Sequence, residues 1–113
     1  MIDAYEKRCA ITGEKTLPVL EAAHIKPFSE SGPNHIANGL LLRSDMHKLF
    51  DDGYITINPE FKIEVSNRIR DEFNNGREYY QHHGKKLLNL PKSDNNKPSL
   101  LYLEYHNNAI FRP

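Results

Sequence analysis

The apolar positions of this chain change period several times, and each change marks an element. Residues 18–25, "PVLEAAHI", read as an extended strand that Pro27 ends, because proline has no N–H to give to a sheet ladder. Residues 29–39, "SESGPNHIANG", are rich in Ser, Gly, Pro and Asn and read as a loop. "LLLRS" reads as a short buried strand or extended piece. "SDMHKLFDDG" then predicts a short helix with Ser44 as its N-cap, Asp45 in its first turn and Gly53 past its end. "YITI" and "FKIEVS" alternate with period two and are joined by Asn58, Pro59 and Glu60, which predicts a hairpin.

Short helices are predicted over 3–9, 67–73 and 76–83, with Gly76 as a break between the last two. "SLLYLEYHNNAIF" predicts a closing amphipathic helix with Leu100, Leu103, Ile110 and Phe111 near one face. Together these elements predict one small α+β domain over residues 1–113. Its core motif lies at about 18–57, followed by an additional β-hairpin and by helices within 67–113.

Composition changes this picture little. Hydrophobic residues make up 38% and charged residues 27% of the 113, the proportions of a soluble globular domain. Fifteen basic and fifteen acidic residues cancel, so a nucleic-acid partner would need a local basic patch. Lys26, Arg43 and Lys48 lie near the stretch of interest, with acids interleaved. A single cysteine, Cys9, excludes an internal disulfide and a multi-cysteine zinc cage. No apolar run approaches membrane-spanning length and no signal peptide is visible, so a cytoplasmic location is the default expectation. The opening directly on "DAYEKRC" raises the expectation that the chain is a piece of something longer.

Candidate chemistry gathers in three places: His24 at the end of a strand, Asn38 in the loop and His47 on the short helix. Asp51 follows His47 by one helical turn, so the two share a face and can hold one divalent cation between them. Imidazole ordinarily titrates near pH 6.5 and is largely neutral around pH 7, so His24 is placed to accept a proton from water. The plainer readings are a hydrogen-bonded core histidine, an Asn-Gly turn and a weak surface pair on a helix. His82–His83 has no acid or cysteine at ligand spacing and reads as structural or solvent-facing.

The words "CAITG", "LEAAHI", "NGLLLRSDMHKLFD" and "GYITI" stand in an order and spacing that resemble the HNH endonucleases. The closest likeness is to a branch of bacterial restriction-type enzymes. It extends over roughly residues 5–111 and is most specific over 20–57. It implies the ββα-metal (His-Me finger) fold and metal-dependent hydrolysis of DNA, in a restriction or DNA-defence role.

By position, the resemblance makes His24 the general base, Asn38 the residue that steadies loop and base, and His47 a metal ligand. Asp51 stands where some members carry a second ligand. Many members have Asp or His immediately before the base, and this chain has Ala23. That leaves Asp51, Glu21, His35, water or substrate to complete the metal's shell. Asp51 is the preferred ligand, because strand alternation puts Glu21 on the face opposite His24. Lys26, Arg43 and Lys48 are candidates for holding phosphates. The cation expected is Mg, Mn, Ni or Zn, which a His/Asp pair suits about equally. The partner expected is double-stranded DNA. Cutting both strands would favour a homodimer, and sequence specificity would belong to another domain of a longer protein. The rival reading is a catalytically decayed HNH-fold module that binds DNA without cutting, with Ala23 as a symptom.

Overall fold

The computed structural model describes residues 1–30, 32–33 and 35–113, so the expected loop over 29–39 includes two positions, Ser31 and Asn34, outside the described residues. Strand β1 (Leu20–His24) pairs antiparallel with β2 (Gly39–Arg43), with Leu20 opposite Arg43 and His24 opposite Gly39. Helix α1 (Ser44–Asp51) begins directly after β2 and packs on both strands. This ββα unit is the predicted core motif. Ser44 does not cap α1: it is the first helical residue, and its hydroxyl donates to Val19 O at 3.0 Å. That bond ties the start of the helix to the approach of β1, and Arg43 stands at the N-cap position. Gly53 does end the helix, at φ +83°, where a side chain would be strained.

The second hairpin joins β3 (Ile55–Ile57) to β4 (Ile63–Val65), with Ile55 opposite Val65. Asn58 Oδ1 shapes its turn by accepting the Glu60 and Lys62 N–H groups. Helices α2 (Arg68–Phe73) and α3 (Arg77–Tyr80) follow. The chain closes with α4 (Leu100–Tyr105), which widens into a π-helical turn over His106–Ile110. The core joins Ile25, Leu40, Leu42, Met46 and Phe50 of the ββα unit to Ile55, Ile57, Ile63 and Leu103.

Two expected helices differ. Residues 3–9 form successive turns, because Glu6 and Lys7 take left-handed backbone conformations (φ 54° and 57°) that no right-handed helix contains. Tyr5 is buried there, and its hydroxyl donates to Gly39 O. In the closing helix Leu103 and His106 are buried, whereas Leu100 and Leu101 are 54% and 69% exposed. His83 is structural, as expected: its Nδ1 accepts the Val65 N–H at 2.9 Å.

Candidate active site

His24 is the last residue of β1, and the sequence beyond it explains why it is held there. Ile25 N donates to Asn38 O, and Lys26 N donates to Asn38 Oδ1 at 2.8 Å. Asn38 Nδ2 donates in return to Lys26 O at 3.0 Å and to Pro33 O at 2.8 Å. The side-chain amide therefore imitates a peptide group, extending the β1–β2 ladder past the end of the strand. At 1% exposure, Asn38 has spent both amide N–H groups on backbone carbonyls. It closes the long loop at its neck and reaches His24 through the backbone of Ile25 and Lys26.

His47 projects from α1 with a carboxylate on either side. Its Nδ1 lies 2.7 Å from Glu21 Oε1, and its Nε2 lies 3.0 Å from Asp51 Oδ2. The Asp51 contact follows from one-turn spacing on a helix. The Glu21 contact was set aside by the alternation argument, which treats a side chain as bound to its strand face. Alternation itself holds, since β1 keeps full register with β2 and Ala23 is buried in the core. Glu21 is long enough to bring its carboxylate to His47 without any distortion of the strand.

His24, His47 and Asp51 line one cleft of about 340 Å³, together with Ala22, Ile25, Pro27, His106 and Ile110. Burial raises the Asp51 carboxyl above its ordinary value; His47 and, more weakly, His24 oppose that rise, while Asp52 and Glu21 add to it. A carboxylate that is poorly solvated and faces two imidazoles is one that a cation would relieve. Among the described residues no group of three or more His, Cys, Asp and Glu side chains is arranged to hold a metal ion.

Residues 9–58 match the family model described as HNH endonuclease. Through this segment, the chain is similar to the HNH endonucleases. The match spans β1, the loop, β2, α1 and β3, so it contains every residue that lines the cleft except those from the closing segment. A solved structure described as a modification-dependent TagI restriction endonuclease is similar in fold, with a TM-score of 0.61 and 21% identity. That likeness covers 93% of this chain and 34% of the other, so this chain spans about a third of that protein's length. No curated protein matches the chain significantly.

The remaining candidates are dispersed. His35 lines a second, smaller cleft of about 190 Å³ with His24, Asn38, Met1 and Ile36, and its ring stands 6.3 Å from that of Tyr102. It is not among the residues lining the cleft of His47 and Asp51. Lys26 places its ammonium 5.0 Å above the Tyr105 ring. Arg43 lies at the far end of the β1–β2 hairpin from His24 and is engaged by Asp45 at 2.7 Å and Glu78 at 3.2 Å. Lys48 is exposed on α1 beside His47. Cys9 is buried, and its sulfur accepts the Thr12 and Arg43 N–H groups. Among the described residues, no helix is long and apolar enough to cross a membrane.

Sequence pattern assigns no role to His106, which is buried in the wall of the cleft. Its ring stacks on Phe50 with centroids 3.7 Å apart, Nε2 lies 2.9 Å from Phe50 O, and Nδ1 lies 2.7 Å from Thr56 Oγ1. Burial lowers its pKa to about 4, with the hydrogen bond to Phe50 opposing. A lone histidine after "LEY" carries no periodic signal that would have marked it.

Proposed function

We propose that this domain is a metal-dependent endonuclease that hydrolyses phosphodiester bonds of double-stranded DNA, in a restriction or DNA-defence role. The observation that carries the reading is that an imidazole from β1 and a His/Asp pair from α1 line one open cleft.

The His/Asp pair fits a divalent ion. A separation of 3.0 Å between His47 Nε2 and Asp51 Oδ2 is that of neighbouring ligands about 2.1 Å from a six-coordinate cation. Glu21 at Nδ1 completes a carboxylate–histidine arrangement that fixes the ring and leaves Nε2 to the ion. Two protein ligands leave room for water and a substrate phosphate, the usual condition of a magnesium-type site. When bound, the ion supplies Lewis-acid stabilisation of the charge that develops on the phosphate.

His24 takes a proton from the attacking water, which bonds to phosphorus as the in-line P–O3′ bond breaks; the released 3′ oxygen takes a proton from solvent, giving 5′-phosphate and 3′-hydroxyl ends. Asn38 keeps that imidazole in place by fixing the backbone that follows it. Lys26, held over Tyr105 two residues from His24, and Lys48 beside His47 are our candidates for contacts to flanking phosphates. Arg43, held in its ion pairs away from His24, is a weaker candidate for that task.

Plasmid nicking with Mg²⁺ or Mn²⁺, wild type beside His24→Ala, tests the reading. Intact plasmid with both proteins across metals would favour a binding module that does not cut. Glu21 gives a separate expectation. Glu21→Ala weakens Mn²⁺ binding by about 10- to 100-fold, the usual effect of removing a partner that orients a ligand. Calorimetric titration checks it, with thermal unfolding close to wild type because Glu21 is exposed. An unchanged Mn²⁺ affinity would show that His47 does not depend on Glu21.

A further inference from the structure

We propose that His106 is a positioning residue for the cleft, which it serves by holding the end of α1 from which His47 and Asp51 project. The inference rests on the reading of those two side chains as the working pair. Phe50 O is a carbonyl and can only accept, so His106 Nε2 carries the hydrogen. Nδ1 is then the acceptor, and the Thr56 hydroxyl donates to it. Asn107 Nδ2 donates to Thr56 Oγ1 at 2.7 Å and to Ile57 O at 2.9 Å, which fixes the hydroxyl in that sense. The tautomer is set by a chain of bonds running from β3 to the last turn of the helix.

Phe50 immediately precedes Asp51, and its ring is clasped against His106 by stacking. The same closing segment meets the turn just past α1 twice more. Arg112 Nη2 donates to Asp52 O at 2.7 Å, and Arg112 N donates to Gly53 O at 2.9 Å. The last carbonyls of a helix have no partners within it, and here two side chains from beyond α4 bond carbonyls at that end. The fit is close: a Cβ on Gly53 would stand 2.3 Å from Ile110 O. The π-helical turn places His106 and Ile110 side by side in the cleft wall.

The test compares His106→Phe with His106→Gln in the full chain. Phe keeps the stack and loses both hydrogen bonds, whereas Gln retains a donor for Phe50 O. Two readouts are taken at a temperature where circular dichroism shows each variant folded: ring ¹⁵N shifts of His47 without metal, and Mn²⁺ affinity. Positioning predicts that the Phe variant moves the His47 shifts and weakens Mn²⁺ binding about tenfold, while the Gln variant stays within about threefold of wild type. Unmoved His47 shifts together with wild-type Mn²⁺ affinity in the Phe variant would overturn the inference.

If wild type takes up no Mn²⁺ while the Phe variant still moves His47, the metal reading fails and the positioning role stands. Should the Phe variant not fold, Thr56→Val, which removes the donor to Nδ1 together with the acceptor of Asn107 Nδ2 and leaves the bond to Phe50 O, carries the same comparison. In wild type, long-range ¹H–¹⁵N correlation is expected to show the Nε2–H tautomer, and the Nδ1–H form would contradict the proposal.

Discussion

Replacing His24 with Ala lowers the rate of plasmid cleavage by about 10²- to 10⁴-fold, the range a positioned general base contributes. The loss falls on the chemical step, because His24 lines the same cleft as the His47–Asp51 pair and is not one of the two proposed ligands. Mn²⁺ affinity is therefore expected within a few-fold of wild type. Stability should change little, since His24 is half-buried at a strand end and the buried strand face belongs to Ala23. Single-turnover cleavage at saturating metal, beside a calorimetric Mn²⁺ titration, separates the two effects. A variant that cuts within tenfold of wild type would remove His24 from the role of base.

Acidification is expected to destabilise the fold through His106. Its folded pKa of about 4 lies below the ordinary value of 6.5, and the main cause is burial. The sign follows from proton counting. Above pH 6.5 the ring is neutral in both states and its stabilising share is intact. Between pH 6.5 and 4 the unfolded chain binds a proton that the native ring refuses, so stability falls as pH falls. Below pH 4 both states are protonated and the loss from this residue is complete. A shift of this size amounts to roughly 3 kcal/mol, an order-of-magnitude figure.

Carboxylates titrate over part of the same range. Asp45 is lowered chiefly by Arg43 and Asp51 is raised by burial, and these work in opposite directions. Urea unfolding at pH 7.5 and 4.5, in wild type and His106→Gln, isolates the histidine by difference. Wild type should lose about 2–3 kcal/mol more than the variant over that interval. Equal losses would mean that His106 titrates normally in the folded protein.

How much of this was legible in the sequence depends on how local the cause is. The ββα unit was readable because "LEAAHI", "NGLLL" and "SDMHKLFD" each carry the period of their own element, and Gly53 marks the stop. His47 and Asp51 were readable as a pair because helix geometry alone joins them. Glu21 was not, because its contact depends on where α1 settles over β1 and on the reach of a flexible side chain.

The closing segment misled for a different reason. An α-helical period through residue 111 turns Leu100 inward, but the wider π turn changes the angular step after Tyr105. Leu103 and His106 become the buried pair. Residues 3–9 favour helix by type, and the left-handed turn at Glu6 and Lys7 is accompanied by distant contacts, the burial of Tyr5 against Gly39 and the Asn89 amide donating to Tyr5 O and Arg8 O. His106 needed the full tertiary arrangement, because its partners Thr56 and Phe50 lie 50 and 56 positions away in the chain.

The most direct test of a shared metal-and-base cleft is anomalous diffraction at the manganese edge from crystals soaked in Mn²⁺. The account predicts one peak between His47 Nε2 and Asp51 Oδ2, with Glu21 still on His47 Nδ1 and His24 facing the ion across the cleft. A peak coordinated elsewhere, or none at saturating Mn²⁺, would contradict it.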